Sequence, residues 1–230
     1  MPEAFCIQVA AGDRVSALVY AGAPQRRAGI TLVLAHGAGA GQTSPFLVRF
    51  ATGLSARGID AVTFNFAYME RRRRVPDANA MLEDCYRAAI RTMRDHGPLR
   101  DNLLAIGGKS MGGRIASQVA AAGLDGISAL VFLGYPLHPP GRPNQLRDKH
   151  LTKIGVPMLF VQGSRDAFGT PDELRPILDK LSAPAELQAI EGADHSFKVL
   201  RRSGRAQEEV YETILDGILA WLRHGLIERP

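Results

Sequence analysis

Three residues far apart in the chain, Ser110, Asp166 and His195, have the types and the order to do chemistry together. A serine hydroxyl is a poor nucleophile until a base takes its proton. An imidazole acting as that base needs a carboxylate to fix its tautomer and stabilise its cation. Ser110 is the centre of Gly108-Lys109-Ser110-Met111-Gly112, a Gly-x-Ser-x-Gly pattern that can form a sharp turn between a strand and a helix and lift the hydroxyl out of the backbone. In such a strained turn, side chains at 108 and 112 would collide with neighbouring backbone, which explains the glycines. The flanks give the pattern its weight: residues 103–106 read as a buried strand, and the small-residue-rich run 114–122 reads as a buried helix.

His195 is the better base because it follows the final strand in a glycine-containing loop, whereas His224 lies near the end of a terminal helix. Asp166 follows Gln162-Gly163-Ser164-Arg165 shortly after another strand. Asp172, directly after Pro171, looks like part of a helix start, and Asp194, adjacent to His195, reads as an exposed turn residue. An oxyanion formed at Ser110 would be held by the backbone N–H of Met111 and by one from the loop His36-Gly37-Ala38-Gly39-Ala40-Gly41, with Ala38 the leading candidate. His36 is expected to hold that loop by hydrogen bonding, and Lys109 to point away from the nucleophile. Tyr68, Phe168 and Phe197 are the candidate substrate-binding side chains, with Phe46 and Met111 as further candidates for the pocket wall; the equal alternative is that several of the five belong to the core.

Two phosphate-binding patterns fail. A P-loop needs a glycine where Leu103 stands, and the dinucleotide pattern starting at Gly37 needs one at Gln42. No His, Glu or Cys spacing suggests a metal site.

Positioning these residues requires strands that alternate with helices. Residues 5–9 and 15–21 predict an opening antiparallel hairpin around Ala11-Gly12-Asp13, and residues 30–35 a strand buried on both faces. A helix over 45–57, a strand over 59–66 and a helix capped by Asp77 and closed by Gly97-Pro98 follow. Strands over 127–133, 158–162 and 186–190 and an amphipathic C-terminal helix complete the pattern. The expected fold is α/β: a mostly parallel central sheet with helices on both faces and the candidate residues at the carboxyl ends of its strands, in one domain spanning 1–230. The proline-dense stretch 134–156 predicts an extended, stiff loop rather than a large cap domain.

At 230 residues and 46% hydrophobic, the chain can bury a sizeable core. No apolar run is long enough to span a bilayer and no leader pattern opens the chain, so a soluble, cytoplasmic protein is expected, with no membrane partner. The two cysteines, Cys6 and Cys85, predict buried, reduced thiols. The net charge of +5 is dispersed over amphipathic helices apart from Arg71-Arg72-Arg73-Arg74, which reads as a solvated loop in preference to a rim of the site that attracts anionic substrates, and nucleic acid is not expected as a partner.

Taken together, six stretches resemble the α/β-hydrolase family along essentially the whole chain: His36-Gly37-Ala38-Gly39, residues 64–70, residues 107–114, residues 134–141, residues 162–166 and residues 193–197. They are similar above all to the small dienelactone-hydrolase-like branch, which also holds the animal testis-expressed hydrolase-like proteins. The resemblance implies a Ser110, Asp166, His195 triad without metal or cofactor, acting on a small-molecule ester or related acyl substrate through an acyl-enzyme. True dienelactone hydrolases carry cysteine where Ser110 stands, so the resemblance speaks to mechanism more than to that substrate. The competing expectations are a catalytically silent binding or scaffold module, or a peptidase or perhydrolase using the same triad. Oligomeric state is not legible.

Overall fold

The computed structural model describes residues 1–9 and 12–227. Eight strands form one sheet: β1 (Glu3–Gln8), β2 (Arg14–Tyr20), β3 (Ile30–Ala35), β4 (Asp60–Phe64), β5 (Leu103–Lys109), β6 (Ala129–Leu133), β7 (Met158–Gly163) and β8 (Ala185–Ile190). Their spatial order is β1-β2-β4-β3-β5-β6-β7-β8. The pairs β1–β2 and β2–β4 are antiparallel and the other five are parallel. The expected hairpin is therefore present, although Ala11 of its turn lies outside the described residues.

Every residue of β3, β4, β6 and β7 is buried, as strands covered on both faces require. Successive side chains of a strand serve opposite faces. In β3, Ile30, Leu32 and Leu34 join a core that includes helices α1 (Pro45–Ala56) and α6 (Gln207–Leu226). Val33 and Ala35 join a second core with α3 (Asn79–Asp95), α4 (Met111–Ala121) and α5 (Pro171–Leu178). A short α2 (Ala67–Glu70) follows β4. Between β6 and β7 the chain forms no α-helix, only a short 3-10 turn at Leu151–Lys153, so no large cap domain covers the carboxyl ends of the strands. Among the described residues, no helix is long and apolar enough to cross a membrane.

Three local expectations are corrected. Asp77 does not cap α3: Ala78 occupies that position without a side-chain bond, and the Asp77 carboxylate pairs with Arg73. Helix α4 starts at Met111 rather than at 114, because Gly112 and Gly113 form its first turn packed against neighbouring backbone. Cys6 is exposed, since β1 is an edge strand with one face toward solvent, while Cys85 is buried; both are free.

Candidate active site

The site starts with the way β5 is pressed into the sheet. A Cβ on Gly107 would lie 1.9 Å from the Val131 carbonyl oxygen of β6, and the Tyr86 hydroxyl from α3 donates to the Gly107 carbonyl at 2.6 Å and accepts from its N–H at 3.0 Å. At the next residue, a Cβ on Gly108 would lie 2.4 Å from the Ala35 carbonyl oxygen, and one on Gly112 would lie 2.3 Å from the same atom. Only glycine allows β5 and α4 to approach β3 this closely. Ser110, between them, sits at φ 50° and ψ −114°, a conformation that L residues rarely adopt. Such strain costs on the order of 1–3 kcal/mol and is a common feature of functional turns.

The turn aims Ser110 Oγ at His195. Oγ lies 2.8 Å from His195 Nε2, and His195 Nδ1 lies 2.7 Å from Asp166 Oδ2. A carboxylate can only accept, so Nδ1 carries the proton and Nε2 is the acceptor facing the serine. Asp166 is 2% exposed and its hydrogen bonding is complete: Oδ1 accepts from the Phe168 N–H at 2.8 Å, and Oδ2 also accepts from Gln162 Nε2 at 2.8 Å. Asp194 is engaged elsewhere, accepting from the N–H groups of Ser196 and Lys198, and Asp172 lies in the first turn of α5. Phe168 stacks on the imidazole, with ring centroids 4.2 Å apart.

Gln162 is a residue that the sequence reading missed. It is fully buried near the end of β7; besides binding Asp166, its amide donates to the Gly169 carbonyl at 2.6 Å and accepts from the Tyr135 N–H at 2.8 Å. One glutamine inside the otherwise apolar Met158-Leu159-Phe160-Val161-Gln162 was the available signal, because a buried amide needs partners.

The loop after β3 is braced from below. His36 is fully buried; its Nδ1–H donates to the Gly37 carbonyl at 2.9 Å and its Nε2 accepts from the Phe66 N–H at 3.1 Å. Burial pushes its pKa down to about 4, so it stays neutral and suits this arrangement. Asn65 Oδ1 accepts from the Gln42 N–H at 2.8 Å and fixes the far end of the loop. Among the described residues, neither the Ala38 nor the Met111 N–H donates to a backbone carbonyl outside a helix or strand, and Met111 is the first residue of α4, where no carbonyl of the helix can serve it.

A cavity of about 580 Å³ opens over Ser110 and His195, walled by Ala38, Phe46, Phe168 and Tyr211. Two of the three aromatic side chains expected there stand behind the wall. Tyr68 is fully buried against His36, and Phe197 is fully buried beside Phe46. Lys109 departs from expectation in the other direction: its side chain lines the cavity instead of turning away. The arginine run lies apart from the cavity, with Arg71 paired to Asp13 and Arg73 to Asp77. Among the described residues, no three His, Cys, Asp or Glu side chains gather as metal ligands.

Solved structures of hydrolases share this fold. A serine hydrolase homologue from Coxiella burnetii superposes with a TM-score of 0.74 at 21% identity, covering 94% of this chain and 97% of that one. A lidless α/β serine hydrolase from Xanthomonas campestris gives 0.72 at 20% identity, with 99% and 94% covered. The dienelactone hydrolase of Anabaena variabilis gives 0.76 at 19% identity, with 98% of each chain covered. At these identities the likeness concerns the fold. The sequence profile described as "Alpha/beta hydrolase domain" matches residues 28–223, so the chain belongs to the α/β-hydrolase family.

Proposed function

We propose that the protein is a serine hydrolase that cleaves an ester or related acyl bond of a small molecule. The carrying observation is the unbroken hydrogen-bond chain Asp166–His195–Ser110 at the floor of an open cavity, with the serine held in a strained turn. In this reading Ser110 Oγ attacks the carbonyl carbon while His195 Nε2 takes its proton. Asp166 stabilises the resulting imidazolium, and the N–H groups of Ala38 and Met111 hold the oxyanion. The imidazolium returns its proton to the leaving group. Water, deprotonated by the same histidine, then releases the acyl group from Ser110. Phe168 serves both as cavity wall and as stacking partner of the base.

Within the family, the resemblance of residues 107–114 and 193–197 to the dienelactone-hydrolase-like proteins and the animal testis-expressed hydrolase-like proteins supports this reading. The absence of a cap domain fits a compact, readily accessible substrate. The test is turnover of short p-nitrophenyl esters by wild type and by Ser110→Ala. Losing the nucleophile should lower turnover by roughly 10⁶. Near-wild-type turnover in the variant would contradict the assignment.

A further inference from the structure

Glu70 directly precedes the run Arg71-Arg72-Arg73-Arg74, yet among the described residues it forms no ion pair, while Arg71 turns to Asp13 and Arg73 to Asp77. Its Oε1 instead accepts three hydrogen bonds: from the Ser16 N–H at 2.8 Å, from the Ser16 hydroxyl, and from Asn65 Nδ2 at 3.0 Å. Partial burial pulls its pKa up, and these bonds outweigh that pull, so the carboxyl lies below its ordinary value and is ionised at neutral pH.

An ionised carboxylate only accepts, and that fixes the direction of every bond beyond it. The Ser16 hydroxyl commits its proton to Glu70, so its lone pairs accept from Gln42 Nε2 at 2.6 Å and from Asn65 Nδ2 at 3.3 Å. Asn65 must turn Nδ2 toward Glu70, which leaves its Oδ1 to accept from the Gln42 N–H at 2.8 Å. Both arms meet at Gln42, which is 4% exposed: one holds its backbone and the other its side chain. Gln42 directly follows the loop 36–41, whose start is held by His36. Asn65 Oδ1 also lies 3.1 Å from where a Cβ on Gly41 would stand, so the loop rests directly on this amide.

We infer, on the serine hydrolase reading above, that Glu70 is a positioning residue for the oxyanion hole: through Ser16 and Asn65 it sets the place of the loop that carries the Ala38 N–H. Glu70 is not among the side chains that line the cavity, so it acts without touching substrate. A donor aimed at the oxyanion acts on charge that develops only in the transition state, so its displacement lowers kcat and spares KM.

The experiment compares wild type with Glu70→Ala, Glu70→Gln, Asn65→Asp and the Asn65→Asp, Glu70→Gln pair, by steady-state kinetics on short p-nitrophenyl esters and by amide hydrogen exchange of residues 37–42. Glu70→Ala should lower kcat by roughly 10- to 100-fold with KM nearly unchanged, the size expected of a donor misplaced by up to about 1 Å. Glu70→Gln, whose carbonyl can take the same three donors, should retain most of the wild-type kcat. Asn65→Asp sets two carboxylates against each other and should lose at least as much as Glu70→Ala. Adding Glu70→Gln to it supplies the missing N–H and should restore much of that loss. Exchange in the loop should quicken wherever kcat falls and slow again in the restored pair.

A folded Glu70→Ala with wild-type kcat, or with its loss confined to KM or to stability, would overturn the inference. Should that variant fail to fold, Asn65→Asp with and without Glu70→Gln supplies the same reading. Because loop exchange needs no turnover, a protein whose loop responds as described but whose wild type cleaves no ester would count against the hydrolase reading. An active enzyme whose loop exchange and kcat both ignore Glu70 would count against this one.

Discussion

The two sides of His195 are built to opposite rules. On the carboxylate side, Asp166, Gln162, Phe168 and Gly169 form a closed network in which both Asp166 oxygens and both atoms of the Gln162 amide have partners. On the cavity side, Ser110 occupies a strained conformation, Lys109 Nζ has no partner, and the walls are mostly aromatic or small. A buried polar group without a partner is costly, so a fold tolerates one where something other than stability is being served. The satisfied side fixes a geometry, and the unsatisfied side is where the proposed reaction would take place.

The largest break in that contrast should come from Asp166→Asn. Its amide is nearly isosteric but favours the wrong imidazole tautomer, and ester turnover at neutral pH should fall by roughly 10⁴ with little change in substrate affinity. Steady-state kinetics with separate kcat and KM would check it; a loss confined to KM would argue that Asp166 merely shapes the pocket.

Next in size is the acid sensitivity of the loop after β3. His36 is held neutral, with a pKa lowered by burial to about 4, below its usual value near 6.5. Its contribution to stability is therefore intact above pH 6.5 and is lost as pH falls toward 4, by about 3 kcal/mol over that window. Chemical denaturation of wild type and His36→Asn across pH 4 to 7 tests this. The variant should start less stable and lose less on acidification. Gln162→Leu is a smaller perturbation: it strips partners from Asp166, Tyr135 and Gly169 and should destabilise by about 1–3 kcal/mol while also lowering kcat. An unchanged denaturation midpoint would show that the network is less coupled than its geometry indicates.

Much of this arrangement is legible in the sequence because it depends on local patterning. The all-buried strands announce themselves as short apolar runs, and the glycines at 108 and 112 mark a close backbone approach that the Ala35 carbonyl explains. The proline-dense stretch 134–156 correctly predicts the lack of a helical cap. Legibility fails where distant elements decide the outcome. Whether Tyr68 and Phe197 face the cavity or the core depends on how α2 and the loop after β8 pack, which no spacing reveals. Asp77 reads as a helix cap until Arg73 folds back onto it. Lys109 is the clearest case: adjacency to Ser110 suggests that it points elsewhere, yet its Nζ lies 3.0 Å from where a Cβ on Gly134 would stand, near the rings of Phe46 and Phe197.

The central claim, that the fold activates Ser110, is tested most directly by intact-mass measurement after incubation with a fluorophosphonate, on wild type and on Ser110→Ala. This requires no choice of substrate. The account predicts a single covalent adduct on wild type and none on the variant. A folded wild type that stays unmodified, or an adduct that persists in Ser110→Ala, would contradict it.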